Sequence, residues 1–250
     1  MDTVITALRE QQQELSVILR QLTAPDWNTA SECAGWNIAD VVVHLIQTND
    51  LATASAQHRF PHGGLRDEST PSEMSIDDLA ALAVAGEPKA DPAEVLTRWE
   101  TGADQLATAL GRCGHADRLQ WVAGTLSART LATTRLAETW IHTGDVASGL
   151  GIRLTATDRL WHIARLAWRT IPYSFQREGR EPPAAVAFDL VAPNGDRWQF
   201  GLDTPYETLI TGSAEELCHV ASRRLPASQS SLTGIGPSAE QVVSLVRTWA

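Results

Sequence analysis

Apolar residues at Val4, Leu8, Leu15, Leu19 and Leu22 recur near helical spacing, with Gln, Glu and Arg between them. That pattern predicts an amphipathic helix over 3–22, closed by Ala24, Pro25 and Asp26. A loop over 23–36 holds Trp27 and Trp36 around Cys33, Ala34 and Gly35. A second helix runs from Asn37, a residue suited to an N-cap, to Gln57. Pro61, His62, Gly63 and Gly64 break the pattern. Ser75 opens a short helix with Asp77 and Asp78 in its first turn. Pro88 and Pro92 close that region, and Asp91 and Pro92 read as N-cap and N1 of a third long helix reaching Leu110. After a loop over 111–125, a fourth helix spans 126–149 and ends at Gly149 or Gly151. A fifth starts near Thr155, with Asp158 completing a capping-box-like pattern, and reaches Gln176.

The period changes after the polar run 177–183. Residues 185–191 read as a strand, Pro193, Asn194, Gly195 and Asp196 as a hairpin turn, and Arg197 to Leu202 as the returning strand. Glu207 to Thr211 reads as a third strand, and helices over 213–224 and 238–249 complete the chain. The expected fold is mainly α: a four-helix bundle over 1–178, then a small α+β domain over 179–250.

Composition narrows the classes. The chain has 250 residues, 43% hydrophobic and 20% charged, with a formal net charge of −10. It is long enough for a sizeable core and reads as soluble and globular. The acidic balance, with no Lys/Arg cluster, argues against nucleic acid as a partner and does not favour anionic membranes. The N-terminus lacks the basic-then-apolar order of a secretory signal, and nowhere do about 18 apolar residues run together, as a membrane span needs. Cys33, Cys113 and Cys218 are widely spaced, which is neither a disulfide framework nor a CxxC motif. A cytoplasmic location follows, and no pattern supports a catalytic thiol.

The chemistry concentrates on two helices. Glu138 and His142 are four residues apart, so on a helix they share a face. His44 lies on the second helix. One carboxylate and two imidazoles from two helices suit a divalent metal with coordination room to spare. The competing reading is a buried histidine and an ordinary i,i+4 pair. Asp40 lies one turn before His44 and Asp145 three residues after His142. Carboxylates so placed either fix the tautomer of a ligand imidazole or are surface charges. Arg135, three residues before Glu138, either pairs with it or, like Arg129, Arg165, Arg169, Arg223 and Arg224, is a cation available to an acidic substrate. Nine Trp stand against four Phe and two Tyr. Trp36, Trp99, Trp121, Trp140, Trp161 and Trp168 read mostly as core, with a few lining an apolar pocket. His58, His62 and His115 read as rim residues.

The segment from Trp27 through Trp36 to the His44–Leu45 pair resembles the signature of the mycothiol-dependent maleylpyruvate isomerase family, within the DinB-like metal-binding superfamily. The run 134–146, with Glu138, His142 and Asp145, is similar to that family's Glu-x-x-x-His helix. The segment from Gly212 to Arg224 resembles its small C-terminal domain. The resemblance implies a DinB-like four-helix bundle with His44, Glu138 and His142 as metal ligands, zinc being the metal that also suits the donor set. It implies mycothiol or a similar low-molecular-weight thiol as cofactor, a small electrophilic metabolite as substrate, and an isomerase or transferase activity. Arg223 or Arg224 matches the family's arginine near the end of the small domain. The alternatives are a metal-dependent tailoring enzyme that uses metal-activated water or Lewis-acid activation, and a non-catalytic metal-binding protein. The chain is expected as a monomer or homodimer.

Overall fold

The structure is a computed structural model describing residues 1–61, 74–122 and 124–248. His62 and most of the expected rim segment 58–75 lie outside the described residues, as does the end of the expected last helix. The chain divides into two compact units, Met1–Leu154 and a second beginning at Thr155.

The first unit is built on four long helices: α1 (Asp2–Leu19), α2 (Ile38–Ala56), α4 (Pro92–Gly111) and α5 (Ala128–Gly149), with the shorter α3 (Ile76–Gly86) against α2. Helices α1 and α2 each pack on both α4 and α5, which closes the bundle. The starts of the helices follow from the sequence. Asn37 accepts from the Asp40 backbone and Asp40 Oδ2 accepts from the Asn37 backbone, a reciprocal capping box. Ser75 and Asp78 repeat it on α3, and Asp91 caps α4 ahead of Pro92. Ile38, Val41, Val42, Leu45 and Ile46 of α2 are buried at helical spacing and meet Leu15, Leu19, Trp27, Trp99 and Val146 in one core. Each large aliphatic side chain so buried contributes about 1.5–3 kcal/mol. Of the six tryptophans singled out above, Trp99 alone is fully buried; its indole donates to Ser16 Oγ at 2.9 Å.

Helix α5 is the central element, packing on α1, α2 and α4 and on an antiparallel hairpin, β1 (Arg118–Trp121) with β2 (Gly124–Ser127). The hairpin occupies the expected 111–125 loop. Because α5 is covered on most sides, its buried residues include Arg135, Thr139, His142, Thr143 and Asp145 as well as its leucines and alanines. Thr139 and Thr143 donate to carbonyls one turn back, which satisfies their hydroxyls. Gly149 closes the helix against the 29–37 loop: a Cβ there would lie 2.4 Å from the Ala30 carbonyl oxygen. The Glu32 amide donates to the Asp145 carbonyl and Ser148 donates to Glu32, pinning that loop to α5.

The second unit holds a sheet in the order β4-β3-β5-β6. Strands β3 (Val186–Val191) and β4 (Arg197–Phe200) form the expected hairpin through Asn194 and Gly195, the glycine at φ +90. Strand β5 (Thr208–Ser213) lies parallel to β3, and the short β6 (Thr233–Ile235) pairs antiparallel with β5. Helices α6 (Leu160–Arg169), α7 (Ile171–Arg177), α8 (Ala214–Ala221) and α9 (Ala239–Leu245) complete it.

Three expectations are corrected. The fifth helix over 155–176 is two helices, because Pro172 at the start of α7 cannot continue the ladder of α6. Asp158 does not cap α6, whose N-cap is Arg159 with no side-chain capping bond to the helix. The last helix stops at Leu245, where Val246 turns extended. In addition, α6 packs on α8, β3 and β4, so α6 and α7 group with the α+β unit rather than with a bundle reaching 178.

Candidate metal centre

His44, on the second turn of α2, and Glu138 and His142, one turn apart on α5, meet inside the first unit. His44 Nε2 lies 2.9 Å and His142 Nε2 3.3 Å from the same Glu138 oxygen, Oε1. One potential donor atom from each residue lies within 4.8 Å of the other two. The two imidazoles stand edge to face, 5.0 Å between centroids. Their side chains are 9% and 8% exposed and that of Glu138 23%, so Glu138 is the most exposed of the three.

The surroundings differ at each nitrogen. His142 Nδ1 donates to Asp145 Oδ2 at 2.9 Å, and Asp145 is 1% exposed. That bond fixes the tautomer that presents Nε2 to the centre. His44 Nδ1 is buried with no partner among the described residues. Asp40, the other carboxylate considered above, makes no hydrogen bond to His44; it closes the capping box at the start of α2. Trp36 covers the pair, its ring 5.1 Å from His44 and 6.5 Å from His142.

Charge follows from these contacts. Burial lowers the pKa of His44, against the pull of Glu138, so its imidazole stays neutral. Burial opposes charge on His142 too, but the bonds to Asp145 and Glu138 outweigh it and raise its pKa. Burial also works against an ionised Glu138; hydrogen bonds to His142 and His44 and the charges of His142 and Arg135 overcome it and hold the carboxylate well below its usual range. The carboxylate is therefore anionic at neutral pH. Two imidazole nitrogens and an ionised carboxylate converging from two helices are the donor set that zinc and its neighbours favour.

Several residues of the sequence reading have settings that the spacing along the chain does not show. Cys33 Sγ, together with His142 and Asp145, forms a second set of close donors within 4.8 Å; the 29–37 loop brings it there, and spacing along the chain gives no signal of it. Arg135 makes no ion pair with Glu138. Its Nη2 donates to Thr48 Oγ1 at 2.8 Å and Asn49 Oδ1 at 3.3 Å on α2, and its guanidinium lies 5.7 Å from the Trp121 ring centroid. In the second unit, Arg223, at φ +62, donates through both terminal nitrogens to the Ser244 and Leu245 carbonyls at the end of α9. Arg224 donates to the Ser222 carbonyl. His58 and His115 are exposed.

A four-helix bundle with a histidine on one helix facing a Glu-x-x-x-His pair on another, followed by an α+β unit, defines a protein of the DinB-like class. The chain belongs to the mycothiol maleylpyruvate isomerase N-terminal domain family, whose model matches residues 8–147. Proteins of two Mycobacterium tuberculosis strains, CDC 1551 and the ATCC 25618 strain, are each 30% identical to it over 247 residues, 98% of this chain and 95% of theirs; both are named as uncharacterized. Crystal structures of a mycothiol-dependent maleylpyruvate isomerase and of its histidine-to-alanine mutant share the fold. Each has a TM-score of 0.60 and 19% identity, over 93% of this chain and 92% of theirs. Among the described residues, no helix is long and apolar enough to cross a membrane.

Proposed function

We propose that the protein is a metal-dependent isomerase or transferase that uses a low-molecular-weight thiol, of the mycothiol kind, on a small electrophilic metabolite. The observation that carries this reading is the meeting of His44, Glu138 and His142 around one carboxylate oxygen in a chain of this family.

In this reading His44, Glu138 and His142 hold a divalent ion, with zinc proposed. When bound, such an ion lowers the pKa of a coordinated thiol and favours the thiolate. The thiol supplies a nucleophile able to add to an activated double bond and leave again, which is the chemistry of an isomerisation; transfer to an electrophile is the other outcome. The chain's own residues set the stage. Asp145 holds the His142 ring by its Nδ1 proton, so that Nε2 faces inward. Trp36 walls one side with an apolar surface that excludes water from the imidazoles. Glu138 stays ionised beside them. Arg223 and Arg224 of the second unit are kept, from the resemblance, as the proposed cations for an acidic substrate.

Elemental analysis of the purified protein, with thiol-dependent turnover of an activated cis-alkene acid such as maleylpyruvate, tests the reading. His142→Ala is expected to abolish both metal content and turnover while leaving the helical circular dichroism intact. Full turnover without metal would overturn it. So would a zinc-loaded structure in which Cys33 completes a closed shell of four protein ligands, since no position would then remain for thiol or substrate.

A further inference from the structure

His142 has candidate donors on both of its ring nitrogens. Nε2 faces Glu138 and the proposed centre. Nδ1 faces Asp145, and Cys33 Sγ lies within 4.8 Å of both an Asp145 oxygen and a His142 ring nitrogen. Among the described residues, neither Cys113 nor Cys218 belongs to such a group. Main-chain bonds set the thiol in place. The Cys33 amide donates to Ser31 Oγ, the Cys33 carbonyl accepts from the Trp36 amide, and the Glu32 amide donates to the Asp145 carbonyl. Gly35, at φ +82, completes the turn. Cys33 is half-buried and its neighbours Glu32, Ala34 and Gly35 are exposed, so the thiol is reached from the loop surface, while Asp145 and His142 behind it are buried.

The donors differ in kind from those of the first set. Thiolate sulfur is a soft ligand that favours zinc, cadmium and copper(I) over harder ions. A thiolate and the Asp145 carboxylate together balance a divalent charge, which limits the cost of holding it away from water. The shared ring adds a constraint. A neutral imidazole carries one proton. Ligation through Nε2 leaves that proton on Nδ1, where Asp145 accepts it. A cation on Nδ1 moves the proton to Nε2, which then donates to Glu138 and is no longer a ligand for the first set.

We propose that Cys33, His142 and Asp145 form a second cation site, for a thiophilic ion, and that it competes with the His44–Glu138–His142 set for the ring of His142. On binding, the Cys33 thiol releases its proton to solvent, and His142 Nδ1 and Asp145 exchange their hydrogen bond for bonds to the ion. The site stands on its own donors; the competition rests on the metal-centre reading above. The kind of ion available then decides whether the proposed centre keeps its second imidazole.

Cadmium chloride titrated into reduced, metal-free protein tests it, followed by the thiolate-to-cadmium absorption in the ultraviolet, for the wild type, Cys33→Ser and His44→Ala. A single equivalent is expected to raise the band in the wild type and in His44→Ala. Cys33→Ser is expected to show no band while taking up as much zinc as the wild type. Zinc-loaded wild type is expected to need roughly tenfold more cadmium, or more, to reach half the band. Bound cadmium is expected to shield Cys33 from iodoacetamide, read by mass spectrometry of its peptide, a measurement that needs no variant. No band in the wild type, with Cys33 alkylated as fast as in metal-free protein, overturns the proposal. A band that persists in Cys33→Ser belongs to Cys113 or Cys218 and overturns it too, as does a band indifferent to zinc in protein that binds zinc. A band lost in His44→Ala makes Cys33 a fourth ligand of one centre and overturns both this proposal and the proposed function. Zinc bound at the three ligands without any cadmium band removes the second set alone. A Cys33-dependent band in protein that takes up no zinc removes the first alone.

Discussion

His142 and His44 face the same proposed centre from different settings, and the difference has a measurable consequence. The ring of His142 is held by a buried aspartate, whereas His44 Nδ1 meets no partner among the described residues. A carboxylate behind a ligand imidazole fixes its tautomer and raises its basicity. Asp145→Ala is therefore expected to weaken zinc binding roughly 10- to 100-fold, measured by competition with a chromophoric chelator, with far-ultraviolet circular dichroism unchanged. The meeting of the three candidate ligands was legible because a four-residue spacing on a helix brings Glu138 and His142 to one face, and the resemblance pairs them with His44. The environment of each was not. Whether Asp40 orients a ring or caps a helix depends on its rotamer, and the cap prevails because it satisfies the free Asn37 backbone amide. Arg135 looked like a partner for Glu138 by spacing; in the bundle it reaches across to α2 instead.

Among elements, the join between α5 and the 29–37 loop positions the wall of the centre. The Cβ of Gly149→Ala would fall 2.4 Å from a backbone oxygen, which no side-chain adjustment relieves. The loop carrying Cys33 and Trp36 must then shift. The expected result is a loss of about 1–3 kcal/mol by urea unfolding, with a change in the fluorescence of Trp36 relative to a Trp36→Phe control. The long helices were readable because their caps are local: Asn37, Ser75 and Asp91 each bond within their own first turn. Elements that rest on distant partners were not. Strands β1 and β2 have four residues each and β6 three, too few to show alternation. Pro172 marks the α6–α7 break plainly in retrospect, but the apolar period runs through it.

For the whole molecule, the candidate ligands and their supports all belong to the first unit, Met1–Leu154. Metal binding stabilises only the folded arrangement that brings them together; at a free concentration a thousandfold above Kd this amounts to about 4 kcal/mol. Hydrogen exchange is expected to slow across α2 and α5 when zinc is added to metal-free protein, while β3 and β5 exchange as before. Equal slowing in both units would contradict a centre confined to the bundle. The two-part plan, helices then sheet, was visible in the change of period near 180. The grouping of α6 and α7 was not, since an amphipathic helix does not declare which neighbour receives its apolar face; here α8 and the sheet receive that of α6.

The carboxylate oxygen shared by the two imidazoles bears on how the protein matures. Ligands that carry unshielded charge repel or stay hydrated until a cation arrives, and small domains built that way collapse only around it. In this chain each candidate ligand already answers another, so the bundle is expected to assemble on its own strength and to take up the proposed ion afterwards. Purified protein stripped by a chelator should stay helical and regain full occupancy when zinc is returned, without passing through an unfolded chain.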